Sequence, residues 1–177
     1  MRPFEIRIQA LASWDEAWCL WFNQAAGIRW LCALFRAVSR LGDGIFWYAL
    51  MAGILAVGGR AALPAVMHMA AVGAIGVLLY KWLKSRTSRP RPYQVKAAIR
   101  LGADPLDQFS FPSGHTLHAV SFSLLTIAYY PALAWLVVPF ALLVAASRLV
   151  LGLHYPTDVL AGAAIGAALA LTSLALV

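Results

Sequence analysis

Charge is scarce in this sequence, and acidic charge is scarcest: 177 residues carry 7 Asp and Glu against 14 Lys and Arg, and 12% are charged in all. A soluble domain uses about a quarter, so the composition excludes an ordinary water-facing fold and, with 62% apolar residues, calls for a lipid-embedded one. Cysteine is nearly absent. Cys19 and Cys32 lack metal-ligand spacing and read as inert packing residues. No repeat, low-complexity tract or Pro/Ser-rich linker divides the chain, so residues 1–177 are expected to form one membrane-embedded domain. The N-terminus opens on charged and polar residues, which argues against a cleavable signal peptide. Neither a nucleotide-binding loop nor a metal-ligating cluster is visible, and no metal, cofactor or nucleic-acid partner is expected.

What is abundant is apolar run. Such runs fall at roughly 18–35, 44–58, 61–83, 114–130, 132–146 and 159–177, which predicts an all-α integral membrane bundle of about six transmembrane helices. Several are shorter than the ~20 residues that cross a bilayer comfortably, but Trp and Tyr near their ends suit the interfaces. The first run is ambiguous, because Arg29, Arg36 and Arg40 share a helical face; a helix lying in the interface is the competing reading. Residues 2–16 read as a short amphipathic helix on the membrane surface.

Three motifs carry chemistry. In SRLVLGLHYPTD, residues 147–158, His154 stands four residues before Asp158. On one helical turn that spacing advances about 400°, so the carboxylate reaches one ring nitrogen and can stabilise the imidazolium formed when the other nitrogen bonds phosphorus. Alone, a His and an Asp at a helix start read as capping. In PSGH, residues 112–115, Ser113 and Gly114 precede a long apolar run, so they occupy a helix N-terminus, where free N–H groups and the dipole favour an anion. His115 is then close enough to protonate a leaving oxygen. The third motif is the basic stretch containing Lys84, Arg86, Arg89, Arg91, Lys96 and Arg100. Such a stretch commonly binds lipid headgroups, but a phosphoryl site also needs fixed cations, and guanidinium forks suit it. Lys84, Arg91 and Arg148 are assigned there, Arg86 and Arg89 to solvent or headgroups.

Taken in order, K-x6-R-P, P-S-G-H and S-R-x5-H-x3-D, these residues resemble the signature of the type 2 phosphatidic acid phosphatase superfamily, with every signature position matched between Lys84 and Asp158. The resemblance implies a metal-independent phosphatase working through a phosphohistidine on His154, oriented by Asp158, with His115 as general acid. It also implies that Lys84, Arg91, Ser113, Gly114 and Arg148 bind the phosphate. Soluble vanadium-dependent haloperoxidases share the signature, and the apolar composition argues for the membrane branch.

Parity tests the site independently. Lys84 ends the third run, His115 starts the fourth, Arg148 ends the fifth and His154 starts the sixth, so runs of alternating direction bring all four to one membrane face. Counting Lys and Arg alone would put that face in the cytoplasm. The resemblance implies instead an outward-facing site in a bacterial inner membrane, with Arg2 and Arg7 inside.

Other residues receive structural readings. His68 is expected to hydrogen-bond inside the bundle, and His118 to pack or bond near His115. Asp43 falls on the site face, where it could hold an arginine. Gly162, Ala163, Gly166 and Ala170 space out as a close helix-packing face. A site at the ends of spans receives headgroups laterally, so the expected substrate is a membrane lipid phosphate or diphosphate. Undecaprenyl diphosphate is favoured over phosphatidylglycerophosphate, phosphatidic acid or a lipid A phosphate. A lipid phosphotransferase using the same intermediate, and a non-catalytic lipid carrier, are the alternatives.

Overall fold

The computed structural model describes residues 3–177, with side chains from residue 11 onward. Eight helices follow in order: α1 Pro3–Asn23, α2 Arg29–Arg40, α3 Phe46–Gly58, α4 Leu63–Thr87, the single turn α5 Pro92–Val95, α6 Gly114–Tyr129, α7 Ala134–Val150 and α8 Pro156–Ala175. There is no strand among the described residues. By length and apolar composition, helices within 29–95, Pro131–Val150 and Pro156–Ala175 suffice to cross a membrane. Their outer faces expose Val57, Met67, Leu78, Trp135, Leu142, Leu160 and Leu171. That much bare apolar surface is stable only against lipid. The protein is an integral membrane bundle.

α6 is the inner helix, packed on α8, α7 and α4. This position explains its short apolar run and its buried Ser121, Ser123 and Thr126: such hydroxyls need internal acceptors, and Ser123 Oγ donates to Val137 O of α7 at 3.2 Å. The small-residue face of α8 lies against α6 as expected. A Cβ added at Gly162 would stand 2.4 Å from Ser113 O, and one at Gly166 2.3 Å from Leu117 O. Close approach in this register sets the starts of the two helices side by side, and Ser113 N donates to Asp158 O at 3.0 Å. His68 does bond within the bundle, its Nδ1 lying 2.8 Å from Tyr129 Oη.

The first apolar run departs from the expected single span. A 3-10 turn at Gln24–Gly27 divides it between α1 and α2. Asn23 donates to the carbonyls of Arg100 and Val150, both at 2.9 Å. Arg36 Nε donates to Gly102 O at 2.8 Å, and Arg148 donates to Ser39 Oγ. All these partners lie at the motif-bearing end of the bundle, so residues 15–40 follow that end. The cause is the polar content of the run. Asn23 and Arg36 find backbone carbonyls there and Arg29 and Arg40 are exposed, an environment that the hydrocarbon core does not offer. α1 turns Asp15, Cys19 and Asn23 inward and exposes Trp14, Trp18 and Trp21, an amphipathic pattern that extends past the expected Glu16. Arg2 and the side chain of Arg7 lie outside the described residues.

Candidate active site

Three local devices build the site. α7 ends at Val150, and the chain reverses through Gly152, whose φ of +71° is left-handed. A Cβ there would meet Ile99 Cγ2 at 2.7 Å and Arg100 O at 2.8 Å, so only glycine fits the turn. The reversal is locked when Arg148 O accepts from Leu153 N and His154 N, at 3.1 and 3.2 Å. The last residue of that motif, Asp158, is then the N3 residue of α8, and its Oδ2 accepts from Tyr155 N at 2.8 Å. His154 therefore stands in the loop, two residues before α8 starts, and not on one helical turn with Asp158. The pair still meets: His154 Nδ1 lies 3.6 Å from Asp158 Oδ2. This exceeds hydrogen-bond length, and Nδ1 is a buried nitrogen without another partner.

The second device is the start of α6. Ser113 Oγ accepts from Thr116 N at 3.4 Å and lies 3.0 Å from Thr116 Oγ1, so it caps the helix. Gly114 and His115 present the first turn to a cavity of about 810 Å³, which Lys84, Arg91, Arg148 and His154 also line. Ser113 and Asp158, both fully buried, stand behind its wall. The parity argument holds: all four runs deliver their polar residues to this one cavity.

The third device is the segment after α4. Arg91 is 1% exposed. Its Nη1 donates to Leu153 O at 2.7 Å and lies 3.3 Å from His154 Nε2, while its Nη2 donates to Asp107 Oδ1 at 2.8 Å. Lys84 Nζ donates to both oxygens of Asp107, at 2.7 and 2.9 Å, and to Phe109 O at 2.8 Å. Burial, followed by the positive charges of Arg148, Arg91 and Lys84, pushes the His154 imidazole well below its ordinary pKa. That direction favours the uncharged ring, and its Nε2 faces the cationic pocket.

Several site residues were invisible to sequence reasoning. Arg89, assigned above to solvent or headgroups, donates to Asp158 Oδ1 and to Asp15 Oδ2, each at 2.7 Å, and Ser110 Oγ donates to Asp158 Oδ2. Arg89 thus buttresses the carboxylate behind His154. Asp43 holds His115, through Nε2, and not an arginine; Arg148 bonds Ser39 instead. Both ring nitrogens of His118 face carbonyls, Gly114 O at 3.0 Å and Gly73 O at 3.1 Å. Cys19 donates to His154 O. Burial, with Asp15 and Asp158 nearby, pushes its thiol up to about 12, so its role is packing. From the ionic centre the cavity continues between α3 and α4 along Trp47, Met51, Ala70, Ala74 and Val77, a lining suited to an acyl or prenyl chain.

A family model described as PAP2 superfamily matches residues 61–177. The chain belongs to the PAP2 superfamily. This PAP2 protein is 37% identical over 134 residues to the decaprenylphosphoryl-5-phosphoribose phosphatase of Mycolicibacterium smegmatis, covering 72% of this chain and 68% of that one. It is 32% identical over 95 residues to the undecaprenyl-diphosphatase BcrC of Bacillus subtilis, covering 54% of this chain and about half, 49%, of the relative. Among solved structures it is similar to a transmembrane PAP2-type phosphatidylglycerolphosphate phosphatase from Bacillus subtilis, with a TM-score of 0.74 and 28% identity, covering 94% of this chain and 86% of that one.

Proposed function

We propose that this PAP2 protein removes phosphate from a membrane lipid phosphate or diphosphate, undecaprenyl diphosphate foremost, through a phosphohistidine on His154. The observation that carries the reading is the buried His154 ring, with Nε2 3.3 Å from the Arg91 guanidinium and Asp158 behind Nδ1. In the first step Nε2 bonds phosphorus as the bond to the leaving oxygen breaks, and His115 gives that oxygen a proton. Asp158 closes on Nδ1–H as the ring gains charge. Water then attacks the phosphohistidine, returns a proton to His115 and releases inorganic phosphate. Lys84, Arg91, Arg148 and the Gly114 N–H balance the charge on the equatorial oxygens; Ser113, expected to bind the phosphate, instead caps α6 with its own N–H taken by Asp158 O, and the lipid tail lies between α3 and α4. Similarity to relatives named for polyprenyl substrates supports the choice of lipid.

The test is phosphate release by the purified protein in detergent from a panel of lipid monophosphates and diphosphates, with and without a lipid alcohol as acceptor. Undecaprenyl diphosphate should give the largest kcat/KM, turnover should persist in EDTA because side-chain cations supply the positive charge, and vanadate should compete with substrate. A strict requirement for magnesium, or no turnover of any lipid, would overturn the reading. Phosphate delivered mainly to the acceptor would assign a phosphotransferase.

We place the site on the outer face of a bacterial inner membrane, where a spent polyprenyl carrier would present its diphosphate. The exposed loop residue Ala98 provides the test. Ala98→Cys in a Cys32→Ala background should react with a membrane-impermeant maleimide in intact spheroplasts. Reaction only after lysis would turn the site inward.

A further inference from the structure

Resting on the phosphatase reading above, we infer that Asp107 is a specificity-determining residue: its carboxylate occupies the Lys84–Arg91 anion site and yields it only to phosphoryl groups of more than one negative charge, excluding singly charged phosphodiester lipids.

Asp107 belongs to the irregular segment between α5 and α6, outside the three sequence motifs. Its side chain nevertheless takes two bonds from Lys84 and one from Arg91, and Arg91 Nε donates to its backbone carbonyl at 3.1 Å. Both cations are buried, while the Asp107 side chain is 38% exposed at the cavity wall. The carboxylate can therefore swing toward solvent without opening the core. Arg91 turns one amino group to His154 Nε2 and the other to Asp107, so a phosphoryl group seated for attack must share that guanidinium with the carboxylate or displace it. Burial alone would raise the Asp107 pKa, but the hydrogen bond and charge of Lys84, with Arg91 beside it, outweigh burial and hold the carboxyl below the usual range. The competitor is thus ionised at neutral pH, and its tether keeps its effective concentration high.

The consequence is a charge threshold. A terminal phosphate carries about −1.5 to −2 at pH 7 and three acceptor oxygens, so it offers Lys84 and Arg91 more than the carboxylate does. A phosphodiester headgroup brings a single charge and gains nothing by the exchange. Such headgroups reach the cavity by the same gap between α3 and α4 that admits a substrate, and in a bilayer they greatly outnumber it. Without Asp107 they would fill the site.

The test measures phosphate release from a lipid monophosphate in mixed micelles, with phosphatidylglycerol titrated in place of zwitterionic phosphatidylcholine. Wild type and Asp107→Glu should resist phosphatidylglycerol, and Asp107→Asn should be half-inhibited at about one-tenth of the wild-type concentration or less. Superimposable curves for wild type and Asp107→Asn would overturn the proposal. Should Asp107→Asn give no turnover, thermal unfolding in the same micelles decides. A larger rise in Tm with phosphatidylglycerol than wild type shows would support the exclusion role, and an equal rise would overturn it. Absence of wild-type turnover on every lipid phosphate and diphosphate would overturn the phosphatase reading instead, with the Tm comparison still judging Asp107.

Discussion

His154→Ala is expected to lower phosphate release by at least about 10⁴-fold while the protein remains folded. No other group lining the cavity is placed to replace the nucleophile. The Nε2 of His115 is bonded to Asp43, and both nitrogens of His118 face carbonyl oxygens. Lys84 has three of its directions filled by Asp107 and Phe109. His154 alone combines a depressed pKa with a ring nitrogen beside a cation that can hold the phosphoryl oxygen. The fold should survive because the backbone at this position carries the architecture: His154 N donates to Arg148 O and its carbonyl accepts from Cys19, and alanine keeps both. The side chain itself gives the fold no hydrogen bond stronger than its 3.3 Å approach to Arg91. Gel filtration in detergent and Tm report folding, and phosphate release reports turnover. Activity within tenfold of wild type would remove His154 from the chemistry and the phosphohistidine with it.

What could be read from the sequence follows a physical division. Arg148, Gly152, His154 and Asp158 lie on one short reversal, so their mutual placement is dictated by nearby residues. The small residues of α8 carry their packing partner in their spacing, because only a close neighbour makes use of Gly162 and Gly166. Parity of the apolar runs then needs only alternation. Asp107, Asp15 and Ser110 were not legible. Each meets its partner across 16 to 74 residues, with no local pattern announcing the pairing, and an Asp in a polar loop looks like any solvated loop residue. Arg89 was hidden by its company: six cations follow one another from Lys84 to Arg100, and nothing in their spacing says which guanidinium turns back to Asp158. Asp43 was placed on the right face, but the choice between His115 and Arg148 depends on Ser39 taking the arginine, a contact 109 residues apart. The first apolar run misled through its length, since a run of hydropathy does not show where a 3-10 turn cuts it or that Asn23 is held by two carbonyls at the bundle's end.

The second large effect concerns His115 and distinguishes substrates. The ring sits at the first turn of α6, lines the cavity and is held through Nε2 by Asp43, a carboxylate that accepts a hydrogen bond from that nitrogen when it carries a proton. Expelling an alkoxide from a lipid monophosphate demands that proton. A polyprenyl diphosphate instead releases a phosphate monoester, already a far weaker base. General-acid help is therefore worth more for the first substrate, about 10²–10⁴-fold. His115→Ala should cut kcat on a lipid monophosphate by that factor and kcat on a diphosphate of matched tail by much less, wherever the chemical step limits both. The KM values should move little, because Lys84, Arg91 and Arg148 still hold the phosphoryl group. Asp43→Asn, which keeps the ring but weakens its hold on the proton, should reproduce the same bias on a smaller scale. Equal losses on the two matched substrates, or losses expressed chiefly in KM, would make His115 a phosphate-binding residue and leave the leaving-group proton without a donor in this site.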